Sequence, residues 1–185
     1  MKRVILAIIL LLPVLSVRGQ EYATLTFQET FQVPDVQSRY IYLRYREWLE
    51  RSGNAFSLQN RPTSSSESGA VFQCTNSGCT RFQFRFRMIP RDVLTSFEVF
   101  VECRDNQLQL RLTNILWVAN ASMGYFCGEN GRLYLDLYPR RDRQFAQKIA
   151  DETAAYFEDM CTSVAEGLSH PSEFEPPLLN AASGK

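Results

Sequence analysis

Histidine is almost missing from this sequence: His170 is the only one in 185 residues, and it stands beside Pro171 near the C-terminus. That excludes a Ser/His/Asp constellation, in which an imidazole must take and return a proton. It also removes the ligand that zinc sites most often share with cysteine. No glycine-rich loop is placed to cradle a phosphate. Charge of one sign is lacking as well, since 20 basic residues cancel 20 acidic ones. A neutral chain has no bulk electrostatic reason to seek nucleic acid, which is not expected as a partner. Nor is there a long hydrophobic run. The one apolar stretch, Val4 to Leu15, is shorter than the roughly 20 residues that cross a bilayer.

That short stretch has a different meaning. Lys2 and Arg3 precede it and Ser16-Val17-Arg18-Gly19 follow, the layout of a secretory signal peptide over residues 1–19 with cleavage before Gln20. An uncleaved anchor is the alternative, against which the length of the run and Pro13 argue. With no cysteine just after the cleavage point, a lipoprotein anchor is not expected. The mature chain is expected to be exported, periplasmic or extracellular, with no stable membrane span. It suits one domain, residues 20–168, ample for a real core. Residues 169–185 lack periodicity and contain Pro171, Pro176 and Pro177, so they predict a flexible tail.

The domain is organised around three runs of apolar/polar alternation between Thr80 and Trp117. Phe82, Phe84, Phe86 and Met88 alternate with Arg81, Gln83, Arg85 and Arg87. Phe97, Val99, Val101 and Cys103 alternate with Glu98, Phe100 and Glu102, and Leu108, Leu110 and Leu112 alternate with Gln107, Gln109, Arg111 and Thr113. A period of two marks strands wet on one face and buried on the other. If Asp105-Asn106 form a two-residue turn, Arg104 faces Gln107, Cys103 faces Leu108, Val101 faces Leu110 and Val99 faces Leu112. Every apolar residue then lands on one side. Ile89 to Thr95 is expected to be a loop between the first two of these strands.

Before them, Ala23 to Val33 alternates as a first strand, with Glu29 the one polar residue on its apolar face. Pro34-Asp35 ends it, and Asp35 is the expected N-cap of a helix from Val36 to about Ser52. Ile41, Tyr45, Trp48 and Leu49 stripe that helix. Gly53 to Gly69, rich in Ser, Asn, Gly and Pro, predicts a surface loop, and Ala70 to Gln73 a short strand. Past Trp117 the pattern weakens, although Leu133, Leu135 and Leu137 alternate as a further candidate strand. Pro139 opens a second helix to about Glu166, with Phe145, Ile149, Thr153, Tyr156, Met160 and Val164 on one face and Gly167 as its stop. One greasy sheet face and two amphipathic helices solve each other's burial, which predicts a two-layer α+β domain: an antiparallel curved sheet with both helices on one face, in the order β-α-β4-α.

Five cysteines, Cys74, Cys79, Cys103, Cys127 and Cys161, leave at least one unpaired within a monomer. Cys74 and Cys79 flank the polar stretch Thr75-Asn76-Ser77-Gly78 and are the candidate disulfide across a hairpin. Cys103 has the phase of a core residue. Their spacing suggests no metal site.

Phe31-Gln32-Val33-Pro34 leading into a helix that ends Tyr45-Arg46-Glu47-Trp48-Leu49, and the turn Cys103-Arg104-Asp105-Asn106-Gln107 with its following strand to Asn114, carry a resemblance. Over about Leu25 to Trp117 the chain resembles a family of exported bacterial domains of unknown function with a TATA-binding-protein-like (TBP-like) fold. The resemblance implies the fold and no catalytic residue or cofactor. The excursion from Ala119 to Tyr138 and the extra cysteines depart from it.

No convergent set of titratable or nucleophilic groups is visible, so an enzyme is not expected. The expectation is a non-catalytic binding or interaction module, with an enzyme of unrecognised site or a structural envelope protein as alternatives. Its candidate surface is the polar sheet face, where Arg81, Arg85, Arg87 and Arg111 would gather around Phe100 to hold a small anionic or sugar-like ligand or an envelope protein. The bland alternative is a solvated face, with Glu98 and Glu102 paired to Arg85 and Arg87 across strands.

Overall fold

A computed structural model describes residues 24–120, 123–129, 132–134 and 140–176. The expected leader and its cleavage point lie outside them. In chain order the elements are β1 (Thr24–Thr26), β2 (Gln28–Gln32), α1 (Ser38–Ser52), a short 3-10 turn (Gly53–Phe56) and β3 (Ser64–Ser68). Then come β4 (Val71–Phe86), β5 (Ile89–Arg104), β6 (Gln107–Asn120), β7 (Met123–Glu129), β8 (Arg132–Tyr134) and α2 (Arg140–Ser169). The described strands form one curved antiparallel sheet in the order β1-β8-β7-β6-β5-β4-β3, with β2 also paired to β6. Both helices lie on its inner face, so the two-layer α+β architecture holds.

The β5–β6 register is the one the alternation dictates. Arg104 faces Gln107, Cys103 faces Leu108, Val101 faces Leu110 and Val99 faces Leu112. All six apolar members of the last three pairs are fully buried. Asn106 takes φ 67°, the left-handed conformation that asparagine tolerates in a tight turn. The helix stripe is also where the period places it, for Ile41, Tyr45, Trp48 and Leu49 are buried against the sheet. From α2, Ile149, Thr153, Met160 and Val164 are buried. Tyr156 packs edge-on against Phe82 and Phe97, at centroid distances of 5.9 and 5.6 Å.

Where the outcome differs, side-chain partners explain it. The Thr75-Asn76-Ser77-Gly78 stretch is not a turn but the middle of the sixteen-residue strand β4. Asn76 is fully buried yet satisfied: Tyr45 Oη donates to its Oδ1 at 3.1 Å, and its Nδ2 donates to the Gln59 carbonyl at 3.1 Å. Gly78 is there for space, because a Cβ would come within 2.5 Å of the Phe97 ring. Residues that read as turn formers are tolerated in a strand when their neighbours are built around them. The consequence for the cysteines is direct. Five residues apart on one strand, Cys74 and Cys79 point to opposite faces, buried and exposed respectively, and both are free thiols. The expected disulfide is therefore not formed.

Several boundaries shift as well. Ile89 to Thr95 is strand rather than loop, because Arg87 and Met88 alone make the turn, at φ 51° and 65°. The Gly53–Gly69 loop contains β3, which pairs antiparallel with Val71–Thr75. The first strand divides: β2 pairs with β6, whereas β1 pairs with β8. β8 thus begins the expected Leu133 strand, and Leu135 and Leu137 lie outside the described residues. Helix α2 continues through Gly167, whose bare Cα lets Trp48 approach closely.

The N-cap also differs. Asp35 adopts φ 63° outside the helix, and Gln37 at the cap position makes no side-chain cap bond. The Ser38 N–H donates instead to Asp105 Oδ1 at 2.8 Å, and the Asp35 N–H to Asn106 Oδ1 at 2.8 Å. The β5–β6 turn caps the helix. At the other end of the chain, the start of the expected flexible tail is fastened to α1. Arg44 grips Glu175 with two bonds, at 2.5 and 2.7 Å, and donates to the Leu168 carbonyl at 2.7 Å. Ser172 is buried and donates to Glu47. Residues 177–185 of that tail lie outside the described residues.

Candidate binding surface

The helices close one side of the sheet and leave the other to solvent. On that outer side Phe100 of β5 stands between Thr75 of β4 and Arg111 of β6. The Arg111 guanidinium lies over the Phe100 ring, its Cζ 4.5 Å from the centroid. This is stacking range for a cation and an aromatic face. Both residues are half-buried.

The carboxylates beside it are already engaged. Glu102 accepts from Arg104 Nε at 2.7 Å and from Gln73 Nε2 at 2.6 Å. The Arg104 bond first and the Gln73 bond second hold the Glu102 carboxyl below its ordinary value, with a lesser contribution from the charge of Arg111. Glu98 accepts from Asn114 Nδ2 at 2.5 Å. Among the described residues, no carboxylate lies within ion-pair distance of Arg111, so its charge is not cancelled in contact.

The other three arginines do not join this stack. Because β4 does not turn at Thr75–Gly78, Arg81 and Arg85 lie six and ten residues along the strand from Thr75. At about 3.3 Å per residue they are some 20 and 33 Å away. Arg81 Nη1 donates to Asp92 Oδ2 at 3.1 Å, while Arg85 is exposed opposite Pro90. Arg87 sits in the hairpin turn. Its guanidinium covers Phe86 at 5.2 Å and donates to Gln144 Oε1 of α2 at 3.3 Å, so it serves the helix side. The cross-strand pairing of Glu98 and Glu102 with Arg85 and Arg87 is absent for the same reason, since those glutamates face Ser77 and Gln73. The structure unites Arg111 with Phe100 and carries Arg81, Arg85 and Arg87 to the far end of the sheet.

That far end was hidden by the loop expected over 89–95. β4 and β5 continue there as a two-stranded arm, Phe84 opposite Arg91 and Phe86 opposite Ile89. Phe145 of α2 packs under it, 5.8 Å from Phe84 and 5.3 Å from Phe86. Gln83, Arg85, Pro90, Arg91 and Asp92 line an open depression of about 580 Å³ together with Phe84. Met88 at the tip is 81% exposed and Ile89 52%. The signal for this arm was present in the unbroken alternation from Arg81 to Met88, but Arg-Met is not a recognised turn dipeptide.

Two buried groups on the inner side show the opposite chemistry. Burial pushes the Cys74 thiol up to about 12 and raises that of Cys103 further. Glu29, the polar residue of the first strand, does face inward and is half-buried opposite Leu110, and desolvation raises its carboxyl above the ordinary value.

No protein-family model and no curated protein matches this chain. Among solved structures it is similar to a DUF4468 family protein from Bacteroides ovatus, with a TM-score of 0.56 and 15% identity over 86% of this chain and 93% of that one. It is likewise similar to a TBP-like protein from Parabacteroides distasonis, with a TM-score of 0.55 and 10% identity over 83% of this chain and 97% of that one. At these identities the likeness is one of fold. The chain has the TBP-like α+β arrangement that its sequence resemblance implied. Among the described residues, no helix is long and apolar enough to cross a membrane.

Proposed function

We propose that this chain is an exported, non-catalytic binding module of the bacterial envelope, periplasmic or extracellular. The open sheet face is its working surface and the Phe100–Arg111 stack its centre. Export is supported by the basic, apolar, then small-residue order of residues 1–19. The observation that carries binding is the stack itself. It joins an aromatic platform to a guanidinium with no carboxylate in contact among the described residues, on a face that no other described element covers. An aromatic face takes the apolar side of a sugar ring, and a guanidinium takes a carboxylate or phosphate through two parallel bonds. The ligand class is therefore a small anionic or sugar-like molecule.

Saturation-transfer NMR with glucuronate and with neutral glucose tests this on the mature chain. Glucuronate should receive magnetisation and shift the Phe100 ring and Arg111 Nε signals, and glucose should respond less. In Phe100→Ala and Arg111→Gln the response should fall to background while the melting temperature holds. An unchanged response in both variants would move the ligand elsewhere. The export half is separate: recovered protein should begin near Gln20, and a mature species that keeps residues 1–19 would remove it.

A further inference from the structure

The outer edge of β4 is paired along only part of its length. β3 covers Val71–Thr75. Beyond it the Gln59 N–H donates to the Ser77 carbonyl at 2.9 Å, and the Cys79 N–H donates to the Ser57 carbonyl at 3.3 Å. The Thr63 N–H also reaches the Thr75 carbonyl at 2.8 Å. Every β4 group used on this edge belongs to an odd-numbered residue. Strand geometry carries that parity onward, because alternate residues direct both backbone groups to the same neighbour. The hairpin closes on the pair Phe86–Ile89, so the even-numbered residues bond to β5. Arg81, Gln83 and Arg85 therefore aim their N–H and C=O groups outward. Among the described residues nothing pairs with them.

Three consecutive outward positions make a template for one more strand. Charge selects the occupant. From Arg81 to Asp92 the arm holds four arginines and one aspartate, and Asp92 engages Arg81 only, leaving Arg85 without an ion pair among the described residues. A second copy of this chain fits poorly. The antiparallel register that engages all three outward positions of both copies sets Arg81 directly opposite Arg85 of the other copy, twice, and like charges so placed repel. A strand with acidic residues four apart meets both arginines and fills all three backbone positions.

We infer that the Arg81–Arg85 edge of β4 docks an extended acidic segment of a partner protein as an added antiparallel strand. This surface is separate from the Phe100–Arg111 stack, some 20 Å or more along the sheet, and it stands whether or not that stack holds a ligand.

Amide hydrogen exchange on the mature chain tests the inference. In the free protein the amides of Arg81, Gln83 and Arg85 should exchange quickly while those of Phe82 and Phe84 are protected. The probe is a synthetic heptapeptide, Thr-Glu-Val-Thr-Val-Glu-Thr, with lysines replacing both glutamates in its control. The acidic peptide should slow the three outward amides, and the lysine peptide should leave them fast. Gln83→Pro removes an edge donor and no bond to β5, so it should weaken the acidic peptide at least about tenfold without lowering the melting temperature. Arg85→Glu should reverse the preference toward the lysine peptide, and it keeps the test open if the proline variant does not fold. Outward amides already protected in the free monomer would overturn the inference, as would acidic-peptide affinity unchanged in both variants. A dimer that Gln83→Pro dissociates would overturn it too, by giving the edge to a second copy.

Discussion

On β5 the residues Val99, Val101 and Cys103 are fully buried beneath the helices, while Glu98, Phe100 and Glu102, interleaved with them, look outward. The same alternation on β4 sends Cys74 inward and Cys79 out. Neighbours 3.3 Å or so apart along the chain therefore live in different solvents. On the inner side each position is fixed by volume and by the cost of stranding a polar group. Asn76 is tied there to Tyr45 and to the Gln59 carbonyl because its buried amide could not be left unpaired. On the outer side hydrogen bonds are made to neighbours that water could replace, and residue choice is free to serve recognition. The contrast locates stability on one face and candidate function on the other, although they share every strand.

The most severe way to break this contrast is to put a charge on each side of one strand. Val101→Asp or Leu110→Asp would bury a carboxylate among Leu108, Leu112 and the helix stripe. Each should cost several kcal/mol, on the order of the whole stability of a small domain. Gln109→Asp, one residue from Leu110 but facing outward, should cost about 1 kcal/mol or less. Thermal melts of the three should split two against one. The reverse outcome would mean a register slipped by one residue.

Thiol chemistry draws the same boundary without mutation. A thiol pushed to about 12 holds roughly a thousandfold fewer thiolates at neutral pH than one at the ordinary value. Iodoacetamide at pH 8 should therefore modify exposed Cys79 promptly. Cys74 and Cys103 should wait for unfolding. A Cys74–Cys79 disulfide peptide under oxidising conditions would contradict their opposite facing.

The inner layer has a weaker margin where the chain end meets α1. Arg44→Leu would strand the Leu168 carbonyl and leave the Glu175 carboxylate, whose side chain is already 12% exposed, to turn toward water. About 2 kcal/mol is expected, less than for a pair locked in a core. Protease should then cut near Phe174 at a concentration that spares the parent. Cleavage at equal rates would mean that the segment is held by other contacts.

The smallest effect is a gain. Burial raises the Glu29 carboxyl, so the folded chain keeps a proton that the unfolded chain releases. The folded state is favoured below the unfolded value of about 4.5 and loses that advantage as pH climbs through the higher folded one. Glu29→Gln should therefore stabilise by a few tenths of a kcal/mol at pH 7, a small figure because the group is only half-buried and still screened by water, and by nothing at pH 3. Melts at the two pH values check the sign.

How much of this was legible follows the same division. Apolar alternation announces a strand whose inner side must be filled, so the β5–β6 hairpin and its register could be read pair by pair. The two helix stripes were legible for the same reason. What could not be read depended on partners far away in sequence. Thr75-Asn76-Ser77-Gly78 looks like a turn until Tyr45 and Gln59 are known to satisfy Asn76 and Phe97 to fill the space beside Gly78. From that one misplaced turn came the expected disulfide, whereas the expected cluster of arginines also needed the loop read over Ile89 to Thr95, which would bring the Arg81–Arg87 run beside Phe100. Phe100 and Arg111 survived as a pair because β5 and β6, unlike β4, announce their own turn.

The cap that Asp105 lends to Ser38 has a kinetic meaning. Helix α1 has no N-cap acceptor of its own, so its first turn is completed only once a hairpin 67 residues downstream has closed. Starting a helix is the unfavourable step, and here that step is assigned to a distant loop. A chain arranged this way should fold α1 and the β5–β6 hairpin as one cooperative unit, slowed by the span between them, and an isolated peptide over 34–53 should stay mostly unstructured.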